Sequence, residues 1–416
     1  MEIVVKAWGE VLAKIKYIDG INYFSLSPTN ALNFSPIKLT AKAQTYNFAH
    51  LDFQKGLPGL ISDSLPGIYG KAYLDEFFLK HFKKVPSHLE TLQFLGENTM
   101  GALTFEPSYD LATHKRESFL LDAAALYKET KKALQGDADF SVNEIIAISN
   151  SAASGARPKA IVGLNPKTDK MHVGLKSEIL PEGFVHAIIK FDNLIYNNPL
   201  QGISHKENIS QTKGEYIYSL IAKSLGITMS DTYLIESEGY THFATKRFDI
   251  SSVDGEIHRK HMHSLSGLMH HNPAETTFDY TNLFRVGEKL NISYSDKEQL
   301  FKTMLFNLIY GNRDDHSRNF SYLMDKQGNW RASPAYDLTF TANNKHQMMF
   351  DYNNGYDVTI ESIQKIADTY GIKNSALVIE EMIDTKYTLL SQLCTQYDMK
   401  EWYKHIITST KSVLVR

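Results

Sequence analysis

The sequence predicts an α+β protein of two lobes flanking a cleft, with a β-rich N-terminal unit and a mostly helical C-terminal lobe. Three observations predict it. Short strand-like runs recur up to about residue 250, and apolar residues at helical spacing dominate after it. The length, 416 residues, favours two or three domains over one.

Residues 1–105 read as the first unit. Met1 to Trp8 alternate apolar and polar like a half-buried strand, Val11 to Tyr17 alternate again, and Asp19-Gly20 is a turn signal. GLPGLISDSLPGIYG (56–70) is rich in Gly and Pro and passes into helical spacing over Ala72 to Lys84. Residues 106–250 form the second unit. An amphipathic helix is expected from Leu120 to Ala133, then a small-residue loop, SNSAASGARPKAIVG (149–163), leading into an apolar run. HAIIKFD (186–192) has the pattern of a short buried strand, Gly214 to Leu225 that of a helix closed by Gly226, and THFATKRFDI (241–250) that of a further strand. Residues 251–416 form the helical lobe. Helical spacing appears in HSLSGLMH (263–270), TNLFRVGEKL (281–290) and DKEQLFKTMLFNLIYG (296–311). Two strands around a Gln-Gly-Asn turn are expected over 320–338, and three helices follow, one of them spanning 375–394.

Composition narrows the function classes. With 43% hydrophobic and 22% charged residues the chain has the balance of an ordinary globular protein. A formal net charge of −3 offers no general electrostatic grip on nucleic acid or an anionic membrane. Cys394 is the single cysteine, so no internal disulfide framework exists, and a buried small apolar residue is the natural reading. MEIVVKAWGE carries charges where a signal peptide needs an apolar core, and no run approaches the ~20 apolar residues of a membrane span. The cytoplasm is the expected location.

The chemistry concentrates in Gly311-Asn312-Arg313-Asp314-Asp315-His316-Ser317-Arg318-Asn319. Phosphoryl transfer to a hydroxyl needs a carboxylate to take the proton and an oxygen donor to help hold magnesium on the phosphates. Asp314 and Asn319 stand five residues apart, as in a kinase catalytic loop, which makes Asp314 the candidate base and Asn319 a candidate metal ligand. His316 of the same loop joins the candidate nucleotide-binding residues. Asp337 of Ala335-Tyr336-Asp337-Leu338 is the second candidate ligand, since magnesium takes hard oxygens and few of them from protein. Alone, Pro-Ala-Tyr-Asp reads equally as a capped turn. Lys190, inside an apolar run, must pair, snorkel or point into a site, and Glu215 is a candidate partner. Ser154, Gly155, Ala156, Arg157 and Lys159 make a small, basic loop suited to phosphate, though without Walker A spacing. Lys246, Phe248 and Asp249 end the last strand of the second unit, where a kinase hinge meets adenine and an acidic side chain reaches ribose. Taken singly, each of the last three pieces is also an ordinary surface feature.

Together these segments resemble the HipA family of bacterial kinases. GLPGLISDSLPGIYG resembles the family's N-terminal element, SGARPKA its phosphate loop, and NRDDHSRNF and SPAYDL its catalytic and metal-binding motifs. The resemblance implies a two-lobed protein-kinase-like fold with an added N-terminal subdomain, and ATP with Mg²⁺ as cofactors. It also implies transfer to a protein serine or threonine, with an aminoacyl-tRNA synthetase as substrate in toxins of type II toxin–antitoxin systems. A HipB-like helix-turn-helix antitoxin is the implied partner, and DNA is reached only through it. An autophosphorylated serine at the start of the phosphate loop is implied as well; Ser149, Ser151 and Ser154 flank that place. The rival readings are a small-molecule kinase, which shares the Asp-x₄-Asn loop, and a non-catalytic pseudokinase, against which the intact Asp314, Asn319, Asp337 and Lys190 speak. HRKHMHSLSGLMHH (258–271) invites a metal reading, but packed histidines account for it better, because no carboxylate recurs at ligand spacing.

Overall fold

A computed structural model describes residues 1–39, 44–108, 119–134, 158–173, 179–192, 210–253, 255–342, 345–350 and 358–410. Strands β1 (Glu2–Ala7), β2 (Glu10–Ile18) and β3 (Ile21–Leu26) form a meander. Its second turn has both Asp19 and Gly20 at positive φ (49° and 84°), the conformation that matches strand twist across a two-residue hairpin. Strands β4 (Thr45–Asn47) and β5 (Leu103–Glu106) complete a sheet of order β4-β3-β2-β1-β5. Helices α1 (Gly59–Ser62), α2 (Ile68–Phe82) and α3 (His88–Leu95) lie between β4 and β5 in the chain. Ser87 and Glu90 close a reciprocal capping box at the start of α3.

The second sheet is built from β6 (Phe119–Asp122), β7 (Lys159–Asn165), β8 (Lys170–Val173), β9 (Val185–Lys190), β10 (Thr232–Ser237) and β11 (Tyr240–Lys246), in the order β10-β11-β9-β7-β8-β6. Leu120 and Leu121, expected in a helix, lie instead in β6, where pairing with β8 overrides their helical spacing. Helix α4 (Ala123–Leu134) starts one step later, with the Asp122 carboxylate accepting from the Ala125 N–H at 2.8 Å. Helix α5 (Gln211–Ser224) is capped by Ser210 and packs on β11.

The helical lobe opens with β12 (Ile250–Val253), β13 (Glu256–Arg259) and β14 (His261–Ser264). The helix expected over 263–270 shrinks to α6 (Leu265–Met269), because His263 and Ser264 are claimed by pairing of β14 with β15 (Ser321–Met324), itself paired to β16 (Trp330–Ala332). Helices α7 (Thr281–Lys289), α8 (Tyr294–Tyr310), α9 (Ile360–Tyr370), α10 (Ser375–Tyr387), α11 (Leu389–Gln396) and α12 (Lys400–Ser409) make the rest. The single helix expected over 375–394 breaks at Thr388 (φ −102°, ψ −80°).

Three apolar cores result. The first holds Ile3, Val5, Leu57, Leu92 and Phe105 with Met324 of β15; the second holds Leu126, Val162, Leu164 and Ile189 beneath the six-stranded sheet. The largest packs Phe284, Phe301, Phe306 and Tyr322 and also receives Ile217, Tyr218 and Ile221 from α5. Each such side chain contributes about 1.5–3 kcal/mol by leaving water. Polar contacts fasten the first unit to the remainder. The Asp63 carboxylate accepts from His263 Nδ1 (2.6 Å), the Ser264 N–H (2.8 Å) and Ser264 Oγ (2.7 Å). Cys394 is buried, and no helix among the described residues is long and apolar enough to cross a membrane.

Candidate active site

Helix α8 delivers the chain to the Asp314 loop. A capping box of Ser293 and Asp296 starts it, and Gly311 ends it in the left-handed region at φ 71°. A side chain at Gly311 would also meet Thr410 Cγ2 at 2.8 Å, so the turn is glycine's on both counts. Beyond it Asp314 is exposed and Asp315 fully buried. A 3₁₀ turn, Ser317–Asn319, then leads into β15. Asn319 Nδ2 donates to the Asp314 carbonyl at 2.7 Å, which turns the amide of Asn319 back over the loop and leaves its oxygen as the atom for a ligand.

The Asp337 segment is pinned against this loop from both ends. The Ala335 N–H donates to the Thr228 carbonyl at 2.8 Å. Tyr336 donates its hydroxyl to the Arg318 carbonyl at 2.6 Å, and its ring lies 5.8 Å from that of Phe248. Asn312 Nδ2 stands 3.4 Å from the Asp337 carbonyl. Asp337 itself adopts φ 53°, a left-handed conformation that a non-glycine residue holds only when its surroundings enforce it.

The sheet contributes the cations. Lys190 ends β9 and bonds both Glu215 of α5 and Asp337. The antiparallel register sets Lys159 directly opposite Lys190, so both point to one face of the sheet. Like charges in that position repel unless an anion lies between them. Burial alone would raise the Asp337 carboxyl, but the ammonium groups of Lys190 and Lys159, the Lys190 hydrogen bond and His316 hold it well below its usual range. Burial works to lower Lys190, and Asp337 and Glu215 outweigh it to keep the ammonium charged. The Asp337 side chain is still 32% exposed and so remains reachable.

Two further atoms in the loop, His316 Nδ1 and Arg318 Nε, are buried without a hydrogen-bond partner. Unsatisfied polar atoms at this density mark a place where a polar ligand belongs. The donor set fits magnesium, with one carboxylate and one amide oxygen beside cations placed for phosphate. Among the described residues no group of three or more His, Cys, Asp or Glu side chains forms a cage of its own.

Lys190, Lys159 and His316 thus gather around Asp337, with Glu215 behind Lys190, and Tyr336 and Asn312 tie the loop of Asp314 and Asn319 to the Asp337 segment. Ser154, Gly155, Ala156 and Arg157 lie outside the described residues, as do Ser149 and Ser151. Lys246 turns to Asp231, with its Nζ at 3.8 Å from the carboxylate. Asp249 corrects the expectation of a ribose-reaching acid. It is 0% exposed, bonded by Arg247 Nε (3.0 Å) and Nη2 (2.6 Å) and by the Gly101 N–H (2.6 Å). Its carboxylate is committed to joining the first unit to the sheet. Asp315, which lacks the catalytic-loop spacing, joins Tyr280, His346, Asn307 and Asn312 in a buried polar network under the loop. Asn307 gave one signal, an amide inside the apolar stretch TMLFNLIY; Tyr280 and His346 gave none.

Comparison with known proteins follows the same line. A family model described as the HipA-like C-terminal domain matches residues 151–390. The serine/threonine-protein kinase toxin HipA of Shewanella oneidensis is 24% identical over 202 residues, 43% of this chain and 42% of that protein. A putative kinase, Y4mE, of Sinorhizobium fredii is 27% identical over 138 residues, 31% of this chain and 32% of that protein. The chain therefore spans about two fifths of the first curated relative's length and a third of the second's. The solved structure of Shewanella oneidensis MR-1 HipA, in complex with HipB and its operator DNA, shares the fold, with a TM-score of 0.69 at 14% identity over 98% of this chain and 95% of that one. With a family model matching more than half of its length and this architecture throughout, the chain belongs to the HipA family.

Proposed function

We propose that this protein is an ATP- and Mg²⁺-dependent kinase that phosphorylates a serine or threonine of another protein. The observation that carries the reading is Lys190 shared between Glu215 and Asp337 beside the Asp314–Asn319 loop. Lys190 and Lys159 offset charge on the phosphates, Ser154, Gly155, Ala156 and Arg157 are assigned to the phosphates by residue type alone, and Lys246 and Phe248 border the adenine. Asp314 accepts the hydroxyl proton as the acceptor oxygen bonds to the γ-phosphorus and the β–γ bridging oxygen departs with ADP. Asp337 and the Asn319 oxygen would hold magnesium, which would supply neutralisation of phosphate charge. His316, within electrostatic reach of Asp337, serves the same end of the nucleotide.

The biological setting is assigned by family. Shewanella oneidensis HipA was solved with HipB and operator DNA, and by that analogy this chain acts as the toxin of a type II toxin–antitoxin pair. Its partner is a HipB-like antitoxin, it meets DNA only through that partner, and its substrate is an aminoacyl-tRNA synthetase in the cytoplasm. The net charge of −3 agrees with indirect DNA contact. The test is incubation with γ-labelled ATP and cell lysate. Label enters protein with the native chain and not with Asp314→Asn. Label in a metabolite instead assigns a small-molecule kinase, and nucleotide binding without any transfer assigns a pseudokinase.

A further inference from the structure

Asp314 and Asp315 are neighbours in sequence with opposite surroundings, one exposed and the other 0% exposed. Asp315 Oδ2 accepts from the Tyr280 hydroxyl (2.6 Å) and from His346 Nδ1 (2.8 Å), while Oδ1 accepts from the Gln347 N–H (2.7 Å). An ionised carboxylate has no proton to give, so His346 carries its own on Nδ1. Burial alone would raise Asp315, but His346, Tyr280 and the Gln347 amide together hold it below the usual carboxylate range. The Tyr280 oxygen in turn accepts from Asn307 Nδ2 (3.1 Å), and Asn307 Oδ1 accepts from Asn312 Nδ2 (2.9 Å). The same Asn312 amide reaches the Asp337 carbonyl at 3.4 Å. The donors of the chain Asn312, Asn307, Tyr280 all point the same way, toward the one carboxylate, so each bond polarises the next.

Burying five polar side chains in the largest core is costly unless a structure is being specified. Simple stability would be served as well by apolar residues of the same shape. We propose that this relay is a positioning device for phosphoryl transfer, an inference that rests on the kinase reading. Asp315 clamps the peptide that carries Asp314. The chain Tyr280–Asn307–Asn312 ties that clamp to the peptide of Asp337, holding the two working carboxylates at a fixed separation. None of the five touches the nucleotide; they act through Asp314 and Asp337.

Tyr280→Phe removes one oxygen and keeps the packed ring. In the full chain it lowers kcat of transfer by ~10-fold or more, the scale on which misplacement of a reacting group acts, while KM for ATP stays within about threefold. Placed on Asp314→Asn it adds nothing, because the group it positions is already gone. In the ligand-free protein it speeds deuterium exchange over 311–319 and 345–350. Asn307→Leu, which cuts the relay at its middle, reproduces the pattern. Unchanged exchange in those segments, or a Tyr280→Phe defect that multiplies that of Asp314→Asn, overturns the inference. Full turnover by Asp314→Asn removes that residue from the base role and the positioning role with it, whereas absence of any transfer by the native chain retires the kinase reading itself. The exchange result then reports separately whether the network holds the loop.

Discussion

Two buried ion pairs sit on neighbouring strands of the six-stranded sheet and its extension, and they differ in what they leave unsatisfied. Arg247 and Asp249 are closed. The guanidinium spends Nε and Nη2 on one carboxylate and shares Nη2 with the Thr99 carbonyl at 3.0 Å, and that carboxylate is 0% exposed. Lys190 is open. One ammonium serves two carboxylates, a second lysine stands opposite, and Asp337 is still 32% exposed. A buried pair whose donors and acceptors all find partners is masonry; one still open to solvent beside unpaired polar atoms is placed for a ligand.

That contrast can be broken by experiment, and the largest effect belongs beside the open pair. Asp314→Asn lowers transfer by ~10²–10⁴-fold with nucleotide binding retained, whereas Asp337→Asn weakens magnesium-dependent nucleotide binding itself. Equilibrium binding of a fluorescent ATP analogue with and without Mg²⁺ separates the two. At the closed pair the cost is in stability. Arg247→Met strands the Asp249 carboxylate and costs about 3–5 kcal/mol, read as a lower denaturation midpoint with turnover per folded molecule preserved. A loss of turnover at full stability would instead return Asp249 to the cleft.

Acid sharpens the comparison through buried histidines, His186 beside the closed pair and His242 and His261 elsewhere in the fold. Burial lowers His186 and His242 to about 4 and His261 to about 3, from an ordinary value of 6.5. The unfolded chain takes up these protons near pH 6.5 and the folded chain resists them, so their stabilisation is complete above that pH. It is lost progressively as pH falls from about 6.5 toward 4. Asp249, whose folded value is lowered by Arg247 against the raising effect of burial, extends the loss below the ordinary carboxylate range. Urea midpoints should be flat above pH 7 and fall continuously below 6.5, with a shallower slope in His261→Asn. The smallest effect is at Lys246, exposed and 3.8 Å from Asp231: Lys246→Ala changes stability by less than ~0.5 kcal/mol.

Legibility in the sequence followed the range of the interactions. Helices α7 and α8, the first meander and β9 could be read because period and caps are local, and Gly311 announced the end of α8. Where pairing partners lie far along the chain, spacing misled. Leu120 and His263 went to strands because β8 and β15 claimed them, over fifty residues away in each case. The Asp314–Asn319 spacing and Asp337 pointed to a candidate site because the proposed chemistry is carried by residue type. The direction a carboxylate faces is not a sequence property: Asp249 and Asp337 look alike as letters, and only Arg247 and Gly101 distinguish them. Tyr280 and His346 were invisible for the same reason, since each matters through contacts across the core.

Strand β15 gives Tyr322 to the helical core and Met324 to the N-terminal one, while Asn319 and Asp337 hang from its neighbourhood. A wall common to two rooms cannot fall in one of them alone. Calorimetric melting of the first hundred residues therefore coincides with that of the helical lobe, in one endotherm rather than two. Damage to that N-terminal unit, however distant from the nucleotide, registers first as disorder at the end of the Asp314 loop.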